Sequence, residues 1–294
     1  MTPELGTPFA VVCHDAGAAN IVIAWINAEG LVTSARPFMR GPAEKIWRDT
    51  FPAAAMCETI EECLSGVRAV LTGTGWASDV EHHARQMAAT AGLHSVAVID
   101  HWVNYEPRFE RQGARALPGE LWVADDHAAK IARDTFPGIP VLVMPNYYLE
   151  RIVRSIAAVP AGGDILYVLE PERRAWGDGR PGEFQALDYF IEMLPQLGIP
   201  PGTLIRLRPH PSDPPGKYEP WLATHSGTRA EIDASASLGD ALSRARWVAG
   251  CESMAMVVAL KAGRTVFSTL PPFAPPCSLP HAELVHLTKI GTRQ

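Results

Sequence analysis

The chain has 294 residues, enough for two domains of ordinary size, and 47% of them are hydrophobic against 20% charged, so the whole chain is expected to fold. Net charge is -6 with no long basic run, which disfavours nucleic acid as the main partner. The five cysteines, Cys13, Cys57, Cys63, Cys251 and Cys277, are scattered without paired spacing, as expected of free thiols in a reducing compartment. Met1 to Pro8 holds no long apolar core, so no secretory signal is expected. The longest apolar stretches, such as Ile21 to Ile26 and Met254 to Leu260, are too short to span a bilayer. The expectation is a soluble, cytoplasmic protein, with room for peripheral association with a membrane.

Short apolar runs alternate with helical patterns along the chain. Expected strands are Phe9–Cys13, Ala69–Leu71, Ser95–Ile99, Leu121–Ala124 and Val141–Met144, then Ile165–Leu169, Leu204–Leu207, Trp247–Ala249 and Thr265–Phe267. Expected helices are Ala18–Ala28, Ala77–Ala91, His127–Phe136, Glu183–Leu194 and Ser253–Ala262. The alternation implies an α/β chain with two Rossmann-like, doubly wound domains facing a cleft. Val159-Pro160-Ala161-Gly162-Gly163 reads as the hinge, giving domains 1–158 and 159–294.

Ligands of open α/β sheets bind outside the carboxyl ends of the strands, so the residues there carry the functional reading. His14-Asp15-Ala16-Gly17 follows the first strand, and Asp15 there either caps the helix or serves as a base. Thr72-Gly73-Thr74-Gly75-Trp76 follows the second, with glycines that admit close backbone approach. Ser78-Asp79-Val80-Glu81 has the spacing of a capping box, so Ser78 and Glu81 read as structural. His82 and His83 are adjacent and face different ways on a helix, which disfavours a metal pair. Asp100-His101-Trp102-Val103-Asn104-Tyr105 combines aromatic faces, an amide and a carboxylate, chemistry suited to a sugar acceptor; the alternative is that Trp102 and Tyr105 pack inward. Asp125-Asp126 reads as an ordinary helix N-cap, whereas Asn146-Tyr147-Tyr148 either lines the cleft or serves capping and packing.

In the second half, Glu170 ends a strand and suits a ribose or a base, while Arg173 and Arg174 read as solvated. Arg206-Leu207-Arg208-Pro209-His210-Pro211 is the most informative stretch. Two prolines stop the strand at an imidazole, with two guanidinium groups just upstream, which suits a phosphate or a carboxylate. Gly250-Cys251-Glu252-Ser253 then opens an apolar helix whose backbone N–H groups form an anion site, and Ser253 both caps it and offers a hydroxyl to phosphate. No full dinucleotide fingerprint and no phosphate-loop Gly-Lys-Ser/Thr occurs, which disfavours NAD and ATP.

This arrangement resembles the GT-B glycosyltransferases and, more narrowly, the bacterial sialyltransferase, polysialyltransferase and Kdo-transferase group. His14-Asp15-Ala16-Gly17 stands where that group has a short acidic motif, His210-Pro211 where it has His-Pro, and Glu252-Ser253 where it has two hydroxyl residues. Ala16 departs from a common second acidic residue, and Glu252 from the first hydroxyl. The resemblance implies that Asp15 is the general base for an acceptor hydroxyl. It also implies that His210 binds or protonates the donor phosphate, and that Ser253 binds that phosphate or a sugar carboxylate. The expectation is an inverting, metal-independent glycosyltransferase of polysaccharide biosynthesis, working without a cofactor. It moves a sialic-acid-like sugar or Kdo from a nucleotide-activated donor, CMP-linked, to a glycan or other hydroxyl acceptor.

Donor binding is expected from Glu170, Arg206, Arg208, Pro211, Glu252 and Ser253 in the C-terminal donor domain. Acceptor binding is expected from Gly17, Gly73, Thr74, Asp100, His101, Trp102 and Asn104 in the N-terminal acceptor domain. Two alternatives stand beside this: a GT-B-like nucleotide-sugar 2-epimerase or hydrolase, and a non-catalytic nucleotide- or sugar-binding protein.

Overall fold

The computed structural model describes residues 4–171, 176 and 179–290; Arg173 and Arg174 lie outside them. The chain divides into two units between Glu150 and Arg151.

The first unit runs β1 (Phe9–Cys13), α1 (Ala16–Ala28), β2 (Ala35–Met39), α2 (Gly41–Thr50), α3 (Ile60–Leu64), β3 (Ala69–Thr72), α4 (Val80–Thr90), β4 (His94–Ile99), the short hairpin β5 (Glu110–Arg111) and β6 (Ala114–Arg115), β7 (Glu120–Val123), α5 (Asp126–Thr135), β8 (Val141–Val143) and α6 (Tyr147–Ser155). Residues of β1 alternate between two cores. Phe9, Val11 and Cys13 pack with Trp25, Trp47 and Trp122, while Ala10 and Val12 pack with Phe38, Cys63 and Val70. A strand buried on both faces has no polar face to show, which is why it reads as one apolar run. The six-stranded sheet has the order β2-β1-β3-β4-β7-β8, all parallel. The chain reverses its direction of travel across this sheet between β1 and β3, and that gap is its switch point.

The second unit runs β9 (Asp164–Val168), α7 (Gly182–Met193), β10 (Ile205–Arg208), α8 (Glu219–Thr224), β11 (Ala230–Ile232), α9 (Leu238–Arg244), β12 (Ala245–Gly250), α10 (Met254–Lys261), β13 (Thr265–Ser268) and β14 (Val285–His286). Its six-stranded sheet is also all parallel, in the order β11-β10-β9-β12-β13-β14, with the switch point between β9 and β12. Ile165, Tyr167, Ile205, Leu207 and Ala249 build its core with Leu187, Phe190 and Trp221.

Both sheets agree with the α/β reading. The sequence reading omits β2, β11 and β14, which are all edge strands. An edge tolerates Pro37 in β2, because a missing N–H there breaks no inner ladder. It also tolerates the exposed Glu231 and Ile232 of β11, so these segments lack the apolar signal. The Val159–Gly163 stretch is tied to the second unit. Arg246 donates to the carbonyls of Pro160 and Ala161, and Arg264 to that of Ala157. The division falls ahead of this stretch, inside α6. Among the described residues no helix is long and apolar enough to cross a membrane.

Candidate functional site

Strand register gathers the first unit's polar residues. Val12, Thr72 and Ala97 are paired across β1, β3 and β4, so Asp15, Gly75 and Asp100 follow at matched positions beyond the carboxyl ends. Asp15 occupies the N-cap position of α1 but makes no capping bond with its side chain. Its Oδ2 instead accepts from the Trp76 N–H at 2.8 Å, and its Oδ1 accepts from His14 Nδ1 at 2.7 Å. Burial alone would raise this carboxyl's pKa. The hydrogen bonds from His14 and from the Trp76 and Ala77 N–H groups outweigh that and hold it below the ordinary range. An ionised carboxylate only accepts, so Nδ1 carries the proton and, in a neutral ring, Nε2 keeps its lone pair. Two glycines make room: a methyl group at Gly75 would strike Asp15 Oδ2, and one at Gly17 would strike Asp100 Oδ2.

The loop after β3 is anchored by Glu81. This carboxylate is buried and accepts from the backbone N–H groups of His14, at 3.0 Å, and Gly75. Burial pushes its pKa up, although both bonds pull it down. The capping-box reading of Ser78 and Glu81 is therefore corrected. The helix starts at Val80, Ser78 Oγ accepts from the Val80 N–H, and Glu81 braces the neighbouring strand end instead. His82 is buried and His83 exposed, the opposed directions that helix spacing requires.

Among the expected acceptor residues, Gly17, Gly73 and Asp100 lie at this edge. Gly73 sits between β1 and α4, its N–H donating to Val12 and its carbonyl accepting from Arg85. Asp100 is half-buried and accepts from Arg108 at 2.9 Å. Thr74 is a correction: it is 1% exposed, donates to the Val98 carbonyl and accepts from Arg108, so it has no face for a ligand. Trp102 is a second correction. It is buried, its indole N–H donates to Asp125, and Asp125 also caps α5 through the Ala128 N–H. Tyr105 is buried too and donates to the Ala128 carbonyl, so the inward-packing alternative holds for both aromatics. His101 is half-buried, with its ring 5.3 Å from that of Trp102, and Asn104 is exposed with φ +60. Asn146 caps α6 by accepting from the Leu149 N–H.

The second unit's edge is also set by register. Arg208, Val168 and Gly250 are paired across β10, β9 and β12, so His210, Glu170 and Glu252 stand at matched positions beyond them. Glu170 and Glu252 flank the switch point and touch: the buried Glu170 carboxylate accepts from the Glu252 N–H. The Glu252 carboxylate accepts from the Ser278 N–H at 2.9 Å. Ser253 caps α10, its Oγ accepting from the Ala255 N–H at 3.2 Å. The helix end expected as an anion site thus carries two carboxylates, and part of its N–H complement is already engaged. That shifts its chemistry towards hydroxyl groups.

His210 is exposed in a turn fixed by Asp213, which accepts from its N–H at 2.9 Å and from Tyr218 and pairs with Lys217. Burial would raise the Asp213 pKa, but these donors hold it below the ordinary range. The Ser212 N–H donates to His210 Nδ1 at 3.2 Å, and the Ser212 hydroxyl lies 2.7 Å from the same nitrogen. A backbone N–H can only donate, so Nδ1 accepts and the proton sits on Nε2. Pro211 follows, also exposed.

Arg206 is a further correction. It is 0% exposed and bonded to Asp164, Asp233 and the Ala241 carbonyl, which makes it a core brace rather than a donor ligand. Arg208 shares Asp233 and stays a quarter exposed. The sequence reading gave His14 and Trp76 no role of their own, took Glu81 for part of a capping box and did not single out Asp213, although Asp213 lies in the turn at 210–213 that carried a local signal.

No protein-family profile and no curated protein matches the chain. Solved structures do. UDP-GlcNAc 2-epimerase from Methanocaldococcus jannaschii aligns with TM-score 0.58 and 11% identity, over 88% of this chain and 83% of that one. The fold is of the GT-B type. The same fold relates it to S. aureus MnaA with UDP, at TM-score 0.55 and 11% identity over 88% of this chain and 78% of that one. A third likeness is to UDP-GlcNAc 2-epimerase from Neisseria meningitidis bound to UDP-GlcNAc, at TM-score 0.55 and 8% identity over 88% and 81%. At these identities the likeness is one of fold. The narrower likeness to the sialyltransferase group rests on its short motifs alone.

Proposed function

We propose that the protein is an enzyme acting on a nucleotide-activated sugar, a UDP-sugar in the first instance, and that it breaks the bond between the anomeric carbon and the nucleotide phosphate. The observation that carries this reading is His210. Its Nε2–H donor lies in the turn just past β10, the strand next to β9, which leads into Glu170. In this reading the second unit is the donor unit. His210 and the Ser253 hydroxyl take the phosphate and offset its charge as the nucleotide leaves. Glu170 and Glu252 accept from hydroxyls of the ribose, a role that suits carboxylates better than phosphate binding does.

The first unit supplies the proton acceptor, with Asp15 ionised and hydrogen-bonded to His14. The GT-B likenesses to UDP-GlcNAc 2-epimerases support the epimerase or hydrolase branch, in which the proton comes from the sugar or from water. Transfer of a CMP-linked sialic-acid-like sugar or Kdo to a glycan hydroxyl is the second reading. The His14–Asp15 pair favours it, because an acceptor hydroxyl needs a base: its proton passes to the pair, its oxygen bonds the anomeric carbon, and the nucleotide departs. Neither reading calls on a cofactor.

Incubating the protein with UDP- and CMP-sugars, with and without glycan acceptors, separates these readings. An epimer or free sugar formed without acceptor supports the first; a product that requires acceptor supports the second. Binding without turnover of any donor, lost in His210→Ala, would replace both with a nucleotide- or sugar-binding protein.

A further inference from the structure

Trp76 is a large aromatic side chain that the first unit leaves open. It is 47% exposed, whereas Trp25, Trp47, Trp102 and Trp122 are all buried. It directly follows Gly75 beyond the end of β3, one of the two strands that flank the switch point. Its position is set by the main chain rather than by burial. The Trp76 N–H is held by Asp15, the Gly75 N–H by Glu81, and the Gly75 carbonyl accepts from Arg111 at 2.6 Å. Arg111 is itself held by Asp79 at 3.0 Å. The guanidinium groups of Arg108 and Arg111 lie 5.9 and 6.0 Å from the indole centroid, at the outer range of a cation–π attraction.

The result is an exposed aromatic ring on a fixed main chain, beside a carboxylate–imidazole pair. A molecule that matches both has an apolar C–H face and a rim of hydroxyls, which describes a pyranose ring. The indole takes the C–H face, and Asp15 and His14 take hydroxyl protons.

We infer that Trp76 is the platform on which the substrate's sugar ring stacks, with its hydroxyl rim turned to His14 and Asp15. This rests on the nucleotide-sugar reading above and adds the sugar's seat to it. An aromatic base such as uracil would also stack on an indole, so the test must tell sugar from base.

Calorimetric titration of the full chain with UDP and with UDP-GlcNAc does so, for wild type, Trp76→Ala and Trp76→Phe. The expected result is that Trp76→Ala weakens UDP-GlcNAc by about tenfold, the loss of one stacked face, and leaves UDP unchanged. Trp76→Phe recovers most of the loss, and both variants keep the wild-type unfolding temperature, as an exposed position requires. Wild-type affinity for UDP-GlcNAc in Trp76→Ala would overturn the platform while leaving the nucleotide-sugar reading intact. An equal loss for UDP would give the ring to the base and overturn it as well. A wild-type protein that binds neither compound would end the UDP-sugar reading, and the platform with it.

Discussion

Asp15 gains its character from residues far away in the chain. Alone it would be a helix cap; with Trp76 and His14 on its two oxygens it is an ionised hydrogen-bond acceptor. Its folded pKa is depressed, so the charge is present through the neutral range and is lost only as pH falls through that lowered value, below the usual aspartate value of about 3.9. A carbon NMR titration of the Asp15 carboxyl checks this; a midpoint at or above the usual value would contradict it. Gly75→Ala tests the packing, because the added methyl group meets Asp15 Oδ2. We expect kcat on the sugar nucleotide to fall by about 100-fold, the order seen when a reacting group is misplaced, as steady-state kinetics would show. The places of Asp15 and His210 just past strand ends were legible, because a strand end followed by a charged or proline-bracketed residue is a local signal. Glu81 and Trp76 were not, since the partners of Glu81 and Trp76 at His14 and Asp15 are set by tertiary folding. The inward turn of Thr74 was beyond sequence spacing, and that of Trp102 stood only as an alternative, because spacing gives a residue's place on a strand end but not which neighbour claims its side chain.

At the scale of elements, both sheets follow from burial. Strands covered on two faces are mostly apolar, so the inner strands announced themselves, while β2, β11 and β14 at the edges carry proline or polar residues and did not. The second sheet also depends on a buried charge network. Arg206 on β10 binds Asp164 at the start of β9 and Asp233 just past β11, and Arg208 shares Asp233. Arg206→Met would leave Asp233 buried without its main counter-charge, and we expect a loss of about 3–5 kcal/mol in chemical denaturation. Burial would raise the Asp233 pKa, but Ser235, Arg208 and Arg206 hold it below the ordinary range. Its contribution to stability is therefore full above about pH 3.9 and lost as pH falls through the lowered folded value. Acid unfolding followed by circular dichroism should show a smaller loss over that window in Asp233→Asn, measured from its own lower starting point.

For the whole molecule, the fold agrees with the α/β reading of the sequence, and the chemistry proposed rests on the residues at the strand ends. Two parallel sheets, each with a switch point, put acid–base groups on the first unit's edge and a histidine with two carboxylates on the second's. The choice between UDP and CMP, and between epimerisation, hydrolysis and transfer, was not legible, because the roles proposed for His210, Glu170 and Ser253 address groups that all nucleotide sugars share. The central claim is that the protein breaks the sugar–phosphate bond of a UDP-sugar with His210 at the phosphate. Proton and phosphorus NMR of UDP-GlcNAc incubated with the full chain tests it most directly. The account predicts a new sugar species, an epimer or free sugar with UDP, formed by wild type and reduced at least about 100-fold in His210→Ala. Unchanged UDP-GlcNAc spectra with wild type, with no broadening of its resonances, would contradict it.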